Sequence, residues 1–315
     1  MTRVLVAVWL WGISRQTTYG MGRNKINVIL KIRTFVLFFF LFIVALSVGA
    51  QTTERPFFLM GDGKISIKND HTGQSTTVTI VTPQGQLIDD AFAAIDRVFG
   101  FPTEQMGEHV SQRLICLLDF FSDLFAKGAQ IHLISGYRSP EYNQGLRDQG
   151  KLAAKTSVHQ DGMALDFYLK GVDGKRMWET IRHKDCCGVG HYGGKSIHLD
   201  AARPRFWQAE TSGVHTNASE DNKLVYFSTE LDRYQTGQQM RVFLASISDY
   251  GFGVKGNLSL VRDIYGEQRI TDLPLAGVST VCQTIATHKE ARFLSVTIPA
   301  DVQPGRYRVR IDFCN

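Results

Sequence analysis

The sequence predicts an α+β domain with a mostly antiparallel sheet, followed by an immunoglobulin-like β-sandwich. Three observations support this prediction. Helical and strand-like segments are interleaved up to residue 208. The chain then becomes polar and poor in apolar residues over 209–222, which is typical of a linker. From residue 223 to residue 315 it contains about seven short strand-like runs separated by turn residues, the spacing of a sandwich.

Length and composition are those of a globular protein. The chain has 315 residues, of which 43% are hydrophobic, and this is enough for one large domain or two ordinary ones. The formal net charge of +5 is small. Because no cluster of Lys and Arg accompanies a recognition motif, we expect no binding to nucleic acid.

The first 50 residues have the order of a secretory signal peptide. Basic residues precede an apolar run over Phe35–Val48, and small residues follow at Gly49 and Ala50, just before Gln51. The run is short for a membrane span of roughly 20 residues. We therefore expect a cleaved signal peptide over 1–50, with membrane contact during export only. An uncleaved membrane anchor is the alternative, and Met21 is an alternative start of the chain.

The segment 51–208 is predicted to mix strands and helices. Gly61-Asp62-Gly63 is a hairpin turn signal, and Ser139-Pro140 is a helix start with Ser as the cap. The predicted strands are Phe57–Met60, Lys64–Lys68, Thr76–Thr82, Ile131–Ile134, Gly162–Leu169 and Ser196–Asp200. The predicted helices are one that is capped by Asp89 or Asp90 and runs to Val98, then Glu104–Ala126, Ser139 to about Asp148, and Lys175–His183.

The segment 223–315 is predicted to be all strand, and nothing in it suggests chemistry. The predicted strands are Leu224–Ser228, Met240–Ile247, Asn257–Asp263, Gln268–Thr271, Gln283–His288, Arg292–Ile298 and Gly305–Phe313.

Export makes disulfides possible for the chain's five cysteines. Cys282 and Cys314 both lie in the C-terminal segment and are the expected pair. Of the adjacent Cys186 and Cys187, one is expected to pair with Cys116, and a metal role for them is the alternative.

Two histidines and an aspartate form the strongest candidate site. His159 and Asp166 lie in one short stretch, and His198 follows about thirty residues later. Three protein ligands with an open fourth position are typical of a catalytic zinc ion. Alternation along a strand puts Ala164 and Asp166 on one face, and His198 and Asp200 likewise share a face.

These residues lie in motifs that resemble a known family. Ser157–Asp166 has the pattern Ser-x-His-x-x-Gly-x-Ala-x-Asp, and Ser135–Pro140 reads Ser-Gly-Tyr-Arg-Ser-Pro. Together with Gly188–Tyr192, Ile197–Asp200 and Arg205–Trp207, they resemble the zinc D-Ala-D-Ala carboxypeptidase and murein endopeptidase family, in its YcbK-like branch. The resemblance covers roughly residues 56–208 and implies the Hedgehog/DD-peptidase fold for this part.

The resemblance implies that His159, Asp166 and His198 ligate one Zn²⁺ ion. It also implies that Arg138 lies at the mouth of the site, where it would hold a substrate carboxylate or stabilise an oxyanion. A structural ion pair is the alternative role for Arg138. Many relatives carry an acid three residues before the last ligand, whereas this chain has Lys195 there.

The sequence therefore leaves open which residue is the general base. Asp200 is the first substitute, because alternation puts it on the face of His198, and His191 is the second. Asp200 could equally orient His198 as a ligand.

The resemblance implies an exported peptidase in a bacterial periplasm that cuts stems or cross-links of peptidoglycan, with an endopeptidase favoured. Two alternatives stay open. The chain could be a zinc-containing module that binds peptidoglycan without effective cleavage, which Lys195 favours. The sandwich could instead be the functional centre, with a protein or glycan partner.

Overall fold

The computed structural model describes residues 3–11, 55–103, 108–151, 153–211, 225–248, 251–263, 267–278 and 281–314. For 3–11, 263 and 267–270 it describes the backbone alone. The described residues all belong to one compact unit. Within them, no helix is both long enough and apolar enough to cross a membrane. The apolar run predicted as the core of a signal peptide, Phe35–Val48, lies outside the described residues, as does most of the predicted linker.

The first described strand is β1, Arg3–Trp11. In the part that follows, the strands are β2 Lys64–Asn69, β3 Ser75–Thr79, β4 Ile131–Ser135, β5 Ala164–Leu169, β6 Gly188–His191, β7 Ile197–Asp200 and β8 Arg205–Gln208. The helices are α1 Asp89–Phe99, α2 Gln112–Ala126, α3 Pro140–Asp148 and α4 Gly174–Arg182, with a 3-10 turn at Ala209–Thr211.

Strands β2 to β8 form one sheet in the order β3-β2-β4-β5-β7-β6-β8. Its pairs are antiparallel except for β2 with β4 and β6 with β8. The prediction of a mixed α+β region with a mostly antiparallel sheet is therefore confirmed. Helix α2 packs against the central strands β5 and β7, where Phe167 and Leu199 are fully buried in the core.

Local sequence signals explain where most of these helices begin. Ser139 caps α3 by accepting a hydrogen bond from the backbone N–H of Tyr142, as predicted, and Asp173 caps α4 in the same way. Helix α2 begins at Gln112, later than the predicted Glu104, because Ser111 is its cap. Helix α1 begins at Asp89 itself and has no side-chain cap, so the predicted capping by Asp89 or Asp90 is wrong.

The predicted strand at Phe57–Met60 and its hairpin with Lys64–Lys68 are also wrong. Residues Phe57–Met60 have no strand structure, and β2 forms its hairpin with β3 instead. The physical reason lies in the turn at 61–63. Its backbone N–H groups donate to carboxylates of α2, with Asp62 N bound to Asp123 and Gly63 N bound to Asp119.

Eight strands and one helix follow among the described residues of the C-terminal part. One short strand, Arg233–Gln235, was not predicted. The bounds of these elements are β9 Tyr226–Thr229, β10 Arg233–Gln235, β11 Gln239–Ala245, β12 Phe252–Asp263, β13 Glu267–Pro274, β14 Cys282–Ile285, α5 His288–Arg292, β15 Leu294–Thr297 and β16 Gly305–Cys314.

The C-terminal strands form two sheets. One has the order β15-β11-β9, and the other has the order β10-β1-β16-β12-β13 with β14 also paired to β12. Buried side chains from both, such as Val242 and Leu260, form one apolar cluster. Each of the seven predicted strands has a counterpart here. The predicted strand Gln283–His288 ends early, because Thr287 and Glu290 form a capping box that starts α5 at His288.

Strand β1 differs from the expectation that the N-terminus lies outside the fold. It pairs antiparallel with β16, from Arg3 opposite Asp312 to Leu10 opposite Gly305, and parallel with β10. The segment Arg3–Trp11 is rich in Val and Trp, which favour strands. The predicted signal peptide over 1–50 stays a prediction, and its cleavage would remove this strand.

The predicted disulfide between Cys282 and Cys314 is present. Both cysteines flank the same strand, since Cys282 lies opposite Lys255 and Cys314 lies opposite Gly253 on β12.

The predicted pairing of Cys116 is wrong. Cys116 is a buried free thiol, and Cys186 and Cys187 are also free. Burial raises the pKa of the Cys116 thiol far above its ordinary value.

Candidate metal centre

The register of β5 and β7 brings two of the three predicted ligands together. Asp166 lies directly opposite His198 in this antiparallel pair, and Ala164 lies opposite Asp200. Paired residues point to the same side of a sheet. The four residues therefore share one face, while Phe167 and its partner Ile197 point into the core.

His159 reaches the same place from the turn before β5. The turn contains Gly162, whose φ of +65° is the left-handed conformation that favours glycine. A Cβ at Gly162 would also overlap the ring of Phe101. Glycine is therefore required here on two grounds, and the turn it permits directs His159 toward the strand pair.

Three ligand atoms converge on one point. His198 Nδ1 lies 3.0 Å from Asp166 Oδ1 and 3.2 Å from His159 Nε2. The third side of the triangle, His159 Nε2 to Asp166 Oδ1, is 3.5 Å. The structure therefore brings the three predicted ligands together.

The size of this triangle fits a tetrahedral zinc ion. Zinc binds His nitrogen and carboxylate oxygen at about 2.0–2.1 Å, so two ligand atoms of a tetrahedral site should be about 3.3 Å apart. The three separations of 3.0, 3.2 and 3.5 Å bracket that value. Two imidazoles and a carboxylate are also ligand types that zinc accepts. The residues present therefore fit the ion that the sequence implies.

The second nitrogen of each imidazole is held by a hydrogen-bond acceptor. His159 Nδ1 lies 2.7 Å from the carbonyl oxygen of Gly136, and His198 Nε2 lies 2.9 Å from Asp200 Oδ2. Each acceptor favours a proton on the nitrogen that faces it. The other nitrogen, His159 Nε2 or His198 Nδ1, then has a free lone pair toward the centre, which is how metal-ligating histidines are oriented.

The Asp200 carboxylate binds His198 on the side that faces away from the ligand triangle. Its side chain is completely buried and bonds His198, the backbone N–H of Ala202 and the guanidinium of Arg205. Although burial opposes it, the hydrogen bond from His198 and the charge of Arg205 lower the pKa of Asp200. Asp200 binds the imidazole nitrogen that faces away from the triangle, so its position is that of an orienting group.

Arg138 pairs with a ligand. Its Nη2 donates to Asp166 Oδ2 at 2.6 Å, and its Nε donates to Ser135 Oγ at 2.8 Å. This contact holds one oxygen of Asp166 and leaves the other, Oδ1, toward the triangle. The observed geometry is therefore the structural ion pair, and the predicted contact of Arg138 with substrate stays a prediction.

The ligands influence each other's protonation. Burial opposes ionisation of Asp166, but the charges and hydrogen bonds of His159 and His198 hold its pKa well below the usual range. Burial lowers the pKa of His159. Burial also acts to lower the pKa of His198, but its bonds to Asp166 and Asp200 outweigh this and raise it. An ionised carboxylate at the centre is the form that binds a cation.

His191 and Lys195 are not brought to the triangle. His191 pairs with Ile197 in the β6–β7 register, so it lies on the opposite face of the sheet from His198. Its Nε2 is 3.3 Å from the carbonyl oxygen of Gly194. The ammonium of Lys195 lies 3.6 Å above the ring of Tyr168. The candidate role of His191 as general base has no support in this arrangement.

An aromatic wall borders the centre. The ring of Trp207 packs against His198, with centroids 5.1 Å apart, and its indole N–H donates to the hydroxyl of Tyr192 at 2.7 Å. Gly190 lies beneath the indole, where a Cβ would overlap the ring. Tyr192 is 39% exposed, so this wall connects the buried ligands with the surface.

Comparison with known proteins covers the part of the chain that carries this centre. Residues 61–207 match the family model for the peptidoglycan L,D-endopeptidase MepK, of the Peptidase_M15_2 family. This part of the chain is therefore similar to that peptidase family. The centre described above lies wholly within the matched segment, since its ligands span residues 159 to 198.

Individual relatives agree with the family match. The peptidoglycan L,D-endopeptidase MepK of Escherichia coli K12 is 27% identical over 157 residues, which are 50% of this chain and 82% of that protein. The same values hold for MepK of Shigella flexneri. The probable MepK of Haemophilus influenzae is 34% identical over 88 residues, 28% of this chain and 47% of that protein. No solved structure matches the chain.

Sequence reasoning missed three contacts that surround this centre. The carbonyl of Gly136 orients His159, Arg205 holds Asp200, and the ring of Trp207 supports His198. Each lies in a motif that carried the resemblance, so the signal was present. Backbone acceptors and residues that act behind a ligand carry no residue-type signature, which is why their roles were not assigned.

Proposed function

We propose that this chain is an exported, zinc-dependent peptidase that hydrolyses peptide cross-links of peptidoglycan. The observation that carries the proposal is the triangle formed by His159 Nε2, Asp166 Oδ1 and His198 Nδ1, with sides of 3.0 to 3.5 Å. Three ligands in this geometry leave a fourth tetrahedral position open for chemistry.

The chain's own residues would hold and orient one zinc ion. When bound, the ion would polarise the scissile carbonyl and lower the pKa of a water molecule. Gly136 and Asp200 keep the two imidazoles in their ligating orientation. Arg138 fixes Asp166. Asp200 and Arg138 are therefore proposed as positioning residues, and the general base is not assigned to either.

The proposed substrate class comes from the relatives. They are named as peptidoglycan L,D-endopeptidases, so we propose that this chain cuts a bond between an L-centre and a D-centre in peptidoglycan. The aromatic wall of Tyr192 and Trp207 lies between the ligands and the surface. It offers apolar contact area for a peptide beside the metal.

Export and location are part of the same proposal. Peptidoglycan lies outside the cytoplasm, and the order of basic, apolar and small residues before Gln51 is that of a cleaved signal peptide. We propose a mature protein that begins near Gln51 in the periplasm. N-terminal sequencing of the protein from the envelope tests this, and a chain that retains Arg3–Trp11 would contradict it.

The C-terminal part is proposed to be a separate domain over 223–315, with the two sheets stacked as an immunoglobulin-like sandwich. Their shared apolar cluster supports stacking. Calorimetry of the separately expressed segment 223–315 tests whether it unfolds as a domain of its own. A segment without a cooperative transition would contradict it.

Digestion of a defined substrate tests the proposed activity. Purified cross-linked muropeptide dimers would be incubated with the zinc-loaded protein, and the products would be identified by mass spectrometry. We expect two monomeric products whose masses place the cut at an L,D bond. A chelator should abolish cleavage, and added zinc should restore it.

Two variants make the test specific. His159→Ala should remove both zinc and cleavage. The matched control is His109→Ala, which also removes a buried histidine side chain but one bound to Asp89 and Asp96 and to none of the three ligands. The folded His109→Ala variant should retain both zinc binding and cleavage. A protein that binds zinc and peptidoglycan but leaves every dimer intact would be a binding module, and the proposed function would be wrong.

A further inference from the structure

We infer that helix α5, His288–Arg292, is a positioning element of the metal centre and holds the turn that carries His159. This inference rests on the proposed metal centre. It gives the C-terminal part a role in the peptidase site, although the family match ends at residue 207.

The contact is made by the carboxylate of Asp161. Its Oδ1 lies 2.6 Å from His288 Nδ1, and its Oδ2 accepts a hydrogen bond of 3.0 Å from the backbone N–H of Ser246. Both partners come from the C-terminal part. The Asp161 side chain is 2% exposed, so the two bonds are made away from water, where an unpaired carboxylate would be costly.

Asp161 is joined to His159 through a tight turn. The backbone N–H of Gly162 donates to the carbonyl of His159 at 3.3 Å, and that of Asp161 donates to Val158 at 3.2 Å. Displacement of the Asp161 carboxylate therefore moves the backbone that carries His159. The whole turn is buried, so it has little room to absorb such a shift by itself.

A second contact from the same helix reaches the same turn. The guanidinium of Arg292 lies 5.4 Å from the ring centroid of Phe101. That ring packs so closely against Gly162 that a Cβ there would overlap it. Because His288 and Arg292 are four residues apart, they lie on one face of the helix. The helix thus contacts Asp161 directly and supports Gly162 through the ring of Phe101.

The chain fixes both partners of Asp161 by local structure. The capping box of Thr287 and Glu290 defines the start of α5 and hence the direction of His288. Ser246 has a φ of +58°, a conformation that a residue other than glycine rarely adopts. Such a conformation persists where surrounding contacts hold it, and here it directs the Ser246 N–H at Asp161.

The variant His288→Ala in the full chain tests the inference. Zinc affinity would be measured by competition with a chromophoric chelator, and hydrogen–deuterium exchange would be followed over 157–163 without metal. We expect zinc binding to weaken by about tenfold, the lower end of the losses seen when a residue behind a metal ligand is removed. We also expect faster exchange in the turn.

Two further variants separate positioning from general destabilisation. His288→Asn places a side-chain N–H where Nδ1 lies and should recover most of the affinity. Arg310→Ala breaks the pair of Arg310 with Asp312 on β16, so it perturbs the same part of the chain without touching Asp161, and it should leave zinc affinity unchanged. In a double-mutant cycle, Asp161→Asn and His288→Ala should be strongly non-additive.

The outcomes distinguish this inference from the proposed function. If the unaltered protein binds zinc and His288→Ala binds it equally tightly, with unchanged exchange in the turn, the inference is wrong and the metal centre stands. Equal losses in His288→Ala and Arg310→Ala would also overturn it. If the unaltered protein binds no zinc, the proposed function fails, and the exchange measurement alone decides whether α5 holds the turn.

Discussion

Asp200 is the residue at which two roles can be told apart by experiment. As an orienting group it acts through His198, and as a general base it would act on the substrate. Its bonds to His198 and Arg205 support the orienting role. We predict that Asp200→Asn weakens zinc binding about tenfold or more, with loss of cleavage restored in part by excess zinc.

The matched control for this prediction is Asp70→Asn, because Asp70 also binds a histidine, His132, but away from the three ligand atoms. Its zinc affinity should be unchanged. If Asp200→Asn binds zinc with normal affinity and yet loses cleavage at saturating metal, Asp200 acts on the substrate and the orienting role is wrong.

Gly188 gives a second prediction for a single residue. A Cβ at this position would overlap the carboxylate of Asp200, which is itself completely buried. We predict that Gly188→Ala destabilises the protein by about 1–3 kcal/mol and weakens zinc binding, as measured by urea unfolding and chelator competition. Gly145→Ala in α3, where nothing lies within 4 Å of the new Cβ, should not destabilise it. Equal stability of the two variants would contradict this account.

Among the elements, α2 and the turn at 61–63 share a buried carboxylate. Burial, together with the charges of Asp123 and Asp62, raises the pKa of Asp119 to about 7. The folded state therefore binds a proton that the unfolded state releases near pH 4, so stability from this group is present at low pH and is lost as pH rises toward 7.

We predict that Asp119→Asn removes this pH dependence. Relative to that of the unaltered protein, the free energy of unfolding of Asp119→Asn should increase by on the order of 1 kcal/mol or more from pH 5 to pH 8. Urea unfolding at both pH values measures it, with the exposed Asp90→Asn as the control. Parallel curves for the unaltered protein and Asp119→Asn would contradict the raised pKa.

The individual strands and helices also show which parts of the fold the sequence could predict. The alternation of apolar and polar residues around Asp166 and His198 correctly gave two strands with one core face, because that pattern depends on neighbours in the chain. The strand at Phe57–Met60 was wrong, because its turn is held by carboxylates of α2, about sixty residues away. His288 was predicted as extended, since a five-residue helix leaves almost no periodic signal.

At the scale of the whole molecule, the disulfide joins β14 and β16, the strands on either side of β12 at Gly253–Lys255. The bond closes a loop with a sequence separation of 32 residues. We predict that Cys282→Ser combined with Cys314→Ser lowers the free energy of unfolding by about 2–4 kcal/mol, as measured by urea unfolding under oxidising conditions. A reductant should have a similar effect on the unaltered protein and none on this double variant.

The two parts of the molecule also contact each other beyond α5. Arg113 on α2 forms an ion pair with Asp232, which also accepts a hydrogen bond from the backbone N–H of Phe58. These contacts join residues more than a hundred positions apart. No pattern in the sequence indicates them, because pairing over such distances is decided by how the folded parts meet.

Anomalous scattering at the zinc edge, from crystals of the zinc-loaded protein, tests most directly whether His159, Asp166 and His198 hold a zinc ion. We expect one strong peak at about 2.0–2.1 Å from His159 Nε2, Asp166 Oδ1 and His198 Nδ1. A peak elsewhere, for example among Asp62, Asp119 and Asp123, or no peak at all, would contradict this expectation.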